Sequence, residues 1–189
     1  FDSAGWTTET DLVDGVIWAA DNGADVISMS FGGSSYSSSF DNAIDYVTSI
    51  GSVAVAASGN DNWNGISYPA AYNNCISVGA LSPCNERKSL SSCDGENFWG
   101  SSYGNGLDFL APGVRIHTTT SSGDYTFEFN GTSSACPHAA GIAGLILSAD
   151  PNLSPESVRA LMQETSDDIG DIGYDIETGH GRLNAYNAL

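Results

Sequence analysis

The sequence predicts an α/β fold of three layers, a mostly parallel sheet flanked by helices, and two observations carry that expectation. Apolar runs rich in β-branched and small residues recur along the chain, too continuous for strands with one wet face. Between them lie stretches whose apolar residues return every third or fourth position, the period of an amphipathic helix. Buried strands alternating with such helices are βα units, whose crossovers cover both faces of a parallel sheet.

Taken in order, residues 9–23 (ETDLVDGVIWAADNG) place Leu12, Val13, Val16, Ile17 and Ala20 on one helical face and close on Gly23. Residues 24–33 (ADVISMSFGG) read as a strand ending in glycines. Phe40, Ala43, Ile44 and Val47 mark a second helix, and residues 52–60 (SVAVAASGN) a second buried strand. Residues 75–81 (CISVGAL) and 107–113 (LDFLAPG) are a third and fourth. Residues 125–131 (YTFEFNG) alternate like a half-exposed ribbon. Two helices finish the chain, one opened by Thr132 or Ser133 with Pro137 close enough to its first turn that the missing N–H should cost little, the other by Ser154 as cap with Pro155 at its first position. Residues 83–105 differ from all of this, being polar and rich in Ser and Gly, and read as an ordered surface loop or insertion.

At 189 residues the chain suits one well-cored domain. The apolar run at 139–149 is too short to cross a bilayer, and the first residue, Phe1, suggests a processed chain or a fragment. Against 23 acids stand 5 bases, a net charge of −18. That balance disfavours nucleic acid and anionic membranes as partners, because phosphate binding needs clustered Lys and Arg. It suits either simple solubility or a calcium-rich or salty medium. Cys75, Cys84, Cys93 and Cys136 form no CxxC pair and have no His at ligand spacing, so zinc is not expected. Cys84 and Cys93 bracket a short polar loop where a disulfide would imply an oxidising, extracellular compartment. Cys75 and Cys136 read as buried thiols.

In such folds, ligands bind beyond the carboxyl ends of the strands. Two strand ends here, residues 30–33 (SFGG) and 58–60 (SGN), carry glycines that let a ligand backbone approach. The reactive side chains sit elsewhere, in residues 129–149 (FNGTSSACPHAAGIAGLILSA), at the mouth of a helix otherwise built for burial. Thr132 and Ser133 are open to two readings. One makes them an N-cap. The other makes Ser133 a nucleophile, since the unpaired N–H groups of a helix N-terminus stabilise the negative charge that develops when a hydroxyl attacks a carbonyl. Asn60, at a strand end, is the natural second donor.

Residues 130–141 (NGTSSACPHAAG) strongly resemble the serine segment of the subtilisin-like serine proteases, the subtilases. The resemblance continues in order through residues 26–33 (VISMSFGG), 54–60 (AVAASGN), 68–80 (YPAAYNNCISVGA), 107–114 (LDFLAPGV) and 179–189 (GHGRLNAYNAL). It implies a secreted serine endopeptidase in which Ser133 is the nucleophile, Asn60 the side-chain oxyanion donor and the Ser133 N–H the second donor. An extended polypeptide substrate would pair with the backbone of Ser30, Phe31 and Gly32 and with Ser3, Ala4 and Gly5. Its P1 pocket would be walled by Ser30 to Gly33, Ala57, Ser58 and Gly59, and Ser67 to Ala70. These residues suit a large apolar P1, with Asp61 at the rim tolerating a basic one. Phe129 and Asn130 would lie toward the leaving group. The resemblance also implies a structural Ca²⁺ held by the carbonyls of Ala70, Tyr72 and Cys75 and the carboxylate of Asp108.

The chain departs from the family in lacking both the Asp-Thr/Ser-Gly turn and the His-Gly-Thr-His segment. His117, His138 and His180 have neither context. The expectation is therefore the C-terminal two-thirds of a subtilase catalytic domain, with the general base His and its Asp supplied by an upstream segment or a complementary chain. The alternative is a catalytically inactive subtilase-like fold serving as a binding or structural module. Residues 93–102 (CDGENFWGSS) are longer than the plain family pattern. Phe98 and Trp99 there would form either a satellite core or a wall on the leaving-group side of the cleft.

Overall fold

The computed structural model describes residues 7–189. Four parallel strands form its central sheet in the order β1 (Val26–Met29), β2 (Val53–Ala57), β3 (Cys75–Leu81) and β4 (Phe109–Pro112). Helices α1 (Glu9–Asp21) and α2 (Ser38–Ser49) cover one face. The other face carries α3 (Thr132–Ala149) and α4 (Pro155–Thr165). The three-layer α/β expectation is met.

Strand β2 shows why the sequence pattern worked. All five of its residues are buried, yet they alternate between two cores: Val53, Val55 and Ala57 face α3 and α4, while Ala54 and Ala56 face α1 and α2. Of the helix starts, the Ser154 cap with Pro155 at the first position is found as expected, and two further caps come from the structure. Thr8 caps α1 in a reciprocal box with Asp11, Ser37 caps α2, and Ser154 caps α4 with Pro155 next in line.

Two features depart from the sequence reading. Residues 125–131 are half of a ribbon: β6 (Tyr125–Phe129) pairs antiparallel with β5 (Ile116–Thr119). The short, polar β5 carries almost no apolar periodicity, so it left no signal. The second departure is Pro137, which lies beyond the first turn of α3. Its missing N–H leaves the Ser133 carbonyl without a helical donor, and the Ser30 hydroxyl fills the gap at 2.8 Å.

The segment around residues 83–100 is tied down from inside. Cys84 and Cys93 form a disulfide. Between them Lys88 is fully buried and pairs with the equally buried Asp94 at 3.1 Å, while its ammonium donates to the carbonyls of Ser89 and Glu96. The Lys88 ammonium also lies 5.2 Å from the centre of the Trp99 ring. Trp99 is 9% exposed and belongs to the main core with Phe109 and Ala135, whereas Phe98 points outward. The satellite-core expectation is thus corrected: Trp99 anchors the segment to the central core, and its Nε1–H is engaged by Glu96 at 2.8 Å.

Candidate active site

Helix α3 starts without a side-chain cap. Its N-cap is Gly131 at φ 123°, a conformation that only glycine adopts readily. The N-cap reading of Thr132 and Ser133 therefore fails, and both side chains are free for other partners. Thr132 holds Asn60: its N–H and its hydroxyl both reach the Asn60 Oδ1, at 2.8 and 3.0 Å. A backbone N–H can only donate, so the atom facing it is the carboxamide oxygen. The amide nitrogen of Asn60 is left as a donor on the remaining side. Asn60 stands beyond the end of β2, placed there by the turn at Gly59.

Ser133 and Ser30 are joined twice. The Ser133 hydroxyl donates to the Ser30 carbonyl at 3.1 Å, and the Ser30 hydroxyl returns a bond to the Ser133 carbonyl. The end of β1 is thus fastened to the first turn of α3. A pocket of about 230 Å³ opens between them, lined by Phe31, Gly32, Ala57, Gly59, Asn60, Asp61, Ser67, Thr132 and Ser133. A Cβ at Gly59 would stand 2.6 Å from the Ser67 hydroxyl, and one at Gly32 would stand 2.9 Å from the Tyr68 carbonyl. Side chains at either position would close this space.

Around this one opening the structure brings together Ser133, Asn60, Phe31, Gly32, Ala57, Gly59, Asp61 and Ser67, with Ser30 bonded to Ser133 beside it; the other residues singled out from the sequence lie elsewhere. Ser58 is buried and its hydroxyl bonds to the Ser102 carbonyl, away from the pocket. Gly33 pairs its backbone with Tyr68 in both directions. Phe129 sits on the β5–β6 ribbon, and Asn130 is held by Glu96 and by the Arg115 N–H. Ser3, Ala4 and Gly5 lie outside the described residues. A larger recess of about 640 Å³ between α2 and α4 contains neither Ser133 nor Asn60.

None of the three histidines reaches Ser133. The His138 Nδ1 lies 2.8 Å from the Ser134 carbonyl, which can only accept, so that nitrogen carries its proton. His117 packs edge-on against Phe127, and His180 lies beside Phe109 and Tyr174. The buried thiols offer no substitute nucleophile, because burial pushes both Cys75 and Cys136 up from their ordinary values.

The residues expected to hold Ca²⁺ do not fit it as they stand. The Asp108 carboxylate takes the Arg159 guanidinium, with Nε and Nη2 each at 2.8 Å, and also accepts the Ser77 N–H at 2.8 Å. The Tyr72 carbonyl accepts the Cys75 N–H. A cation already occupies the carboxylate, and it is an arginine from α4. The carboxylate expected to bind the ion is therefore one half of an ion pair with Arg159. Among the described residues, no group of three or more His, Cys, Asp or Glu side chains could hold a metal. Arg159 was missed because a basic residue on an amphipathic helix reads as solvated surface.

The model of the Subtilase family matches residues 1–181. Subtilisin DY of Bacillus licheniformis is 41% identical over 186 residues, spanning 96% of this chain and 63% of its own length. Thermitase of Thermoactinomyces vulgaris is 37% identical over 188 residues, covering 100% of this chain and 62% of its own. The chain thus spans less than two thirds of the length of these relatives. Among solved structures, the subtilisin-like protease Apa1 from Pseudoalteromonas sp. AS-11 superposes at a TM-score of 0.85 with 19% identity, covering 100% of this chain and 75% of that one. Sphericase superposes at 0.83 with 29% identity, over 95% and 64%. No described helix is long and apolar enough to cross a membrane.

Proposed function

The chain belongs to the subtilase family, and from that premise we propose that it is the nucleophile-bearing portion of a secreted serine endopeptidase. The observation that carries the proposal is the meeting of Ser133, at the first turn of α3, with the pinned carboxamide of Asn60 across one open pocket. The Ser133 oxygen attacks the scissile carbonyl carbon of a polypeptide. The developing oxyanion is met by the Asn60 amide nitrogen and the Ser133 N–H, donors fixed before the reaction and so requiring no reorganisation. Collapse releases the amine half of the substrate and leaves an acyl ester on Ser133, which water hydrolyses.

The proton of Ser133 needs a base. The Ser30 carbonyl that now accepts it is too weak, and no histidine of this chain stands near. We therefore propose that a His and its orienting Asp are contributed from outside these 189 residues, by the same polypeptide or a second chain. The backbone of Ser30, Phe31 and Gly32 would take an extended substrate as an added strand. The pocket floor at Gly59, walled by Phe31 and Ala57, suits a large apolar P1, with Asp61 accepting a basic one.

The test compares this chain alone with the protein that also carries the His and Asp. The chain alone should hydrolyse a short chromogenic peptide no faster than its Ser133→Ala variant. The assembled protein should turn it over, and Ser133→Ala should stop it. Rapid cleavage by the chain alone, or full activity in the assembled Ser133→Ala variant, would overturn the assignment.

A further inference from the structure

Strand β6 leads directly to the nucleophile. Phe129 is four residues before Ser133, and its carbonyl accepts the Ser134 hydroxyl at 3.4 Å. Side chains alternate along a strand, so Tyr125, Phe127 and Phe129 share one face. That face is largely exposed, the three at 75%, 60% and 43%, with Phe127 resting against the His117 ring. At about 3.4 Å per residue the stripe runs roughly 14 Å outward from the cleft. Among the described residues β5 is the one strand paired with β6, so no strand covers the opposite edge of β6, where the Glu128 N–H turns to the Thr126 hydroxyl and the Phe129 carbonyl to the Ser134 hydroxyl. Three aromatic rings in a row on an unpaired edge are costly to leave in water and invite a further strand.

Resting on the reading of Ser133 as nucleophile, we propose that this stripe is a distal docking site for the substrate on the leaving-group side of the scissile bond. Its occupant is an extended segment with apolar or aromatic side chains at every second position, beginning about three residues past the bond. Continuity selects this occupant. The pocket that would receive the acyl side is lined by no residue of the β5–β6 ribbon, whereas the ribbon joins α3 through Asn130 and Gly131. Both partners would then repeat at two residues, and alternate side chains of the substrate would fall on Tyr125 and Phe127. Charge narrows the choice further. Asp124 and Glu128 flank the stripe in a chain of net charge −18, so acidic segments are disfavoured and neutral or basic ones accepted.

The experiment uses the active protein, with its general base, and the variants Tyr125→Ser and Phe127→Ser. Among the described residues Tyr125 makes no ring contact, and it lies 75% exposed, so its replacement leaves the fold intact, as a thermal melt checks. Two substrates share the same acyl side; one ends in a small chromogenic leaving group, the other continues for five residues of alternating leucine and serine. Each variant should lower kcat/KM for the extended substrate by about three- to tenfold, the scale of partly burying one ring. The chromogenic substrate should change by less than about twofold. Calorimetric titration with an amidated pentapeptide of alternating leucine and serine supplies a readout that needs no catalysis. It should bind the chain with Tyr125 intact, bind Tyr125→Ser more weakly, and be replaced poorly by an aspartate–serine pentapeptide. Equal losses on both substrates, unchanged kcat/KM on the extended one, or equal binding by wild type and variant would overturn the proposal. So would sedimentation showing that the stripe holds two copies of this chain together. An enzyme inactive on the chromogenic substrate as well would defeat the nucleophile reading, while the pentapeptide titration would still decide the docking site.

Discussion

The pocket at Ser133 and the segment at residues 83–100 are both polar, and they achieve order in opposite ways. At the pocket, hydrogen bonds between backbone and short side chains join strand ends to a helix start: Thr132 to Asn60, Ser133 to Ser30, Gly59 to Thr132. Asn60 and Ser30 stay exposed on the buried Thr132 and the half-buried Ser133. In the segment, a full charge pair is carried inside. Lys88 and Asp94 are both fully buried, and one Asp94 oxygen has no hydrogen-bond partner. The difference teaches where this fold tolerates change: polar groups at the pocket are arranged for a ligand, those in the segment for one another.

Removing half of the buried pair should have the largest effect on stability. Lys88→Met strands the Asp94 charge and should cost about 3–5 kcal/mol of stability. Replacing both partners, Lys88→Met with Asp94→Leu, should recover much of that loss. Chemical denaturation measures both, and kcat/KM on a short substrate should barely move at temperatures where the variants stay folded. A specific loss of kcat would show that the two regions are coupled.

The reverse asymmetry should hold at Asn60. Asn60→Ala should lower kcat of the assembled enzyme by roughly 10²–10³-fold, a magnitude established on subtilisin and carried over here. The melting temperature should shift little, because the side chain is exposed. An unchanged kcat would remove Asn60 from the oxyanion assignment.

The smallest effect concerns pH. The guanidinium of Arg182, with help from Asn184, holds the Asp167 carboxyl below its ordinary value of 3.8. Burial raises Asp175, yet its bonds from Thr178 and the neighbouring N–H groups bring it below that value too. Carboxyls depressed in the folded state contribute stability above the ordinary value and lose it as pH falls through the lower folded one. Melting temperature should therefore drop below about pH 4, and Asp167→Asn should blunt that drop. Because the Asp167 pair is partly exposed, its share should stay within about 1 kcal/mol.

The same contrast explains what the sequence disclosed. The sheet was legible because burial on both faces forces continuous apolar runs such as residues 53–57, and the start of α4 was legible because its Ser154 cap and Pro155 are local, whereas α3 begins on a glycine with no side-chain cap. The nucleophile segment was legible through its motif. Its environment was not: Pro137 looked like a tolerated first-turn proline, while its role is to free the Ser133 carbonyl for Ser30, a partner 103 residues away. Lys88 and Arg159 gave no signal in the sequence, because charge predicts exposure until a buried carboxylate, Asp94 or Asp108, reverses it. Strand β5 escaped for want of apolar residues, although its neighbour β6 announced a ribbon.

If Ser133 is the acylated residue, mass spectrometry of a covalent adduct will find it there. The assembled protein treated with a fluorophosphonate should gain one label, on the peptide containing residues 130–141, and lose peptidase activity in step. Ser133→Ala should take no label. Label on another residue accompanied by loss of activity, or full peptidase activity after stoichiometric labelling at Ser133, would contradict the account.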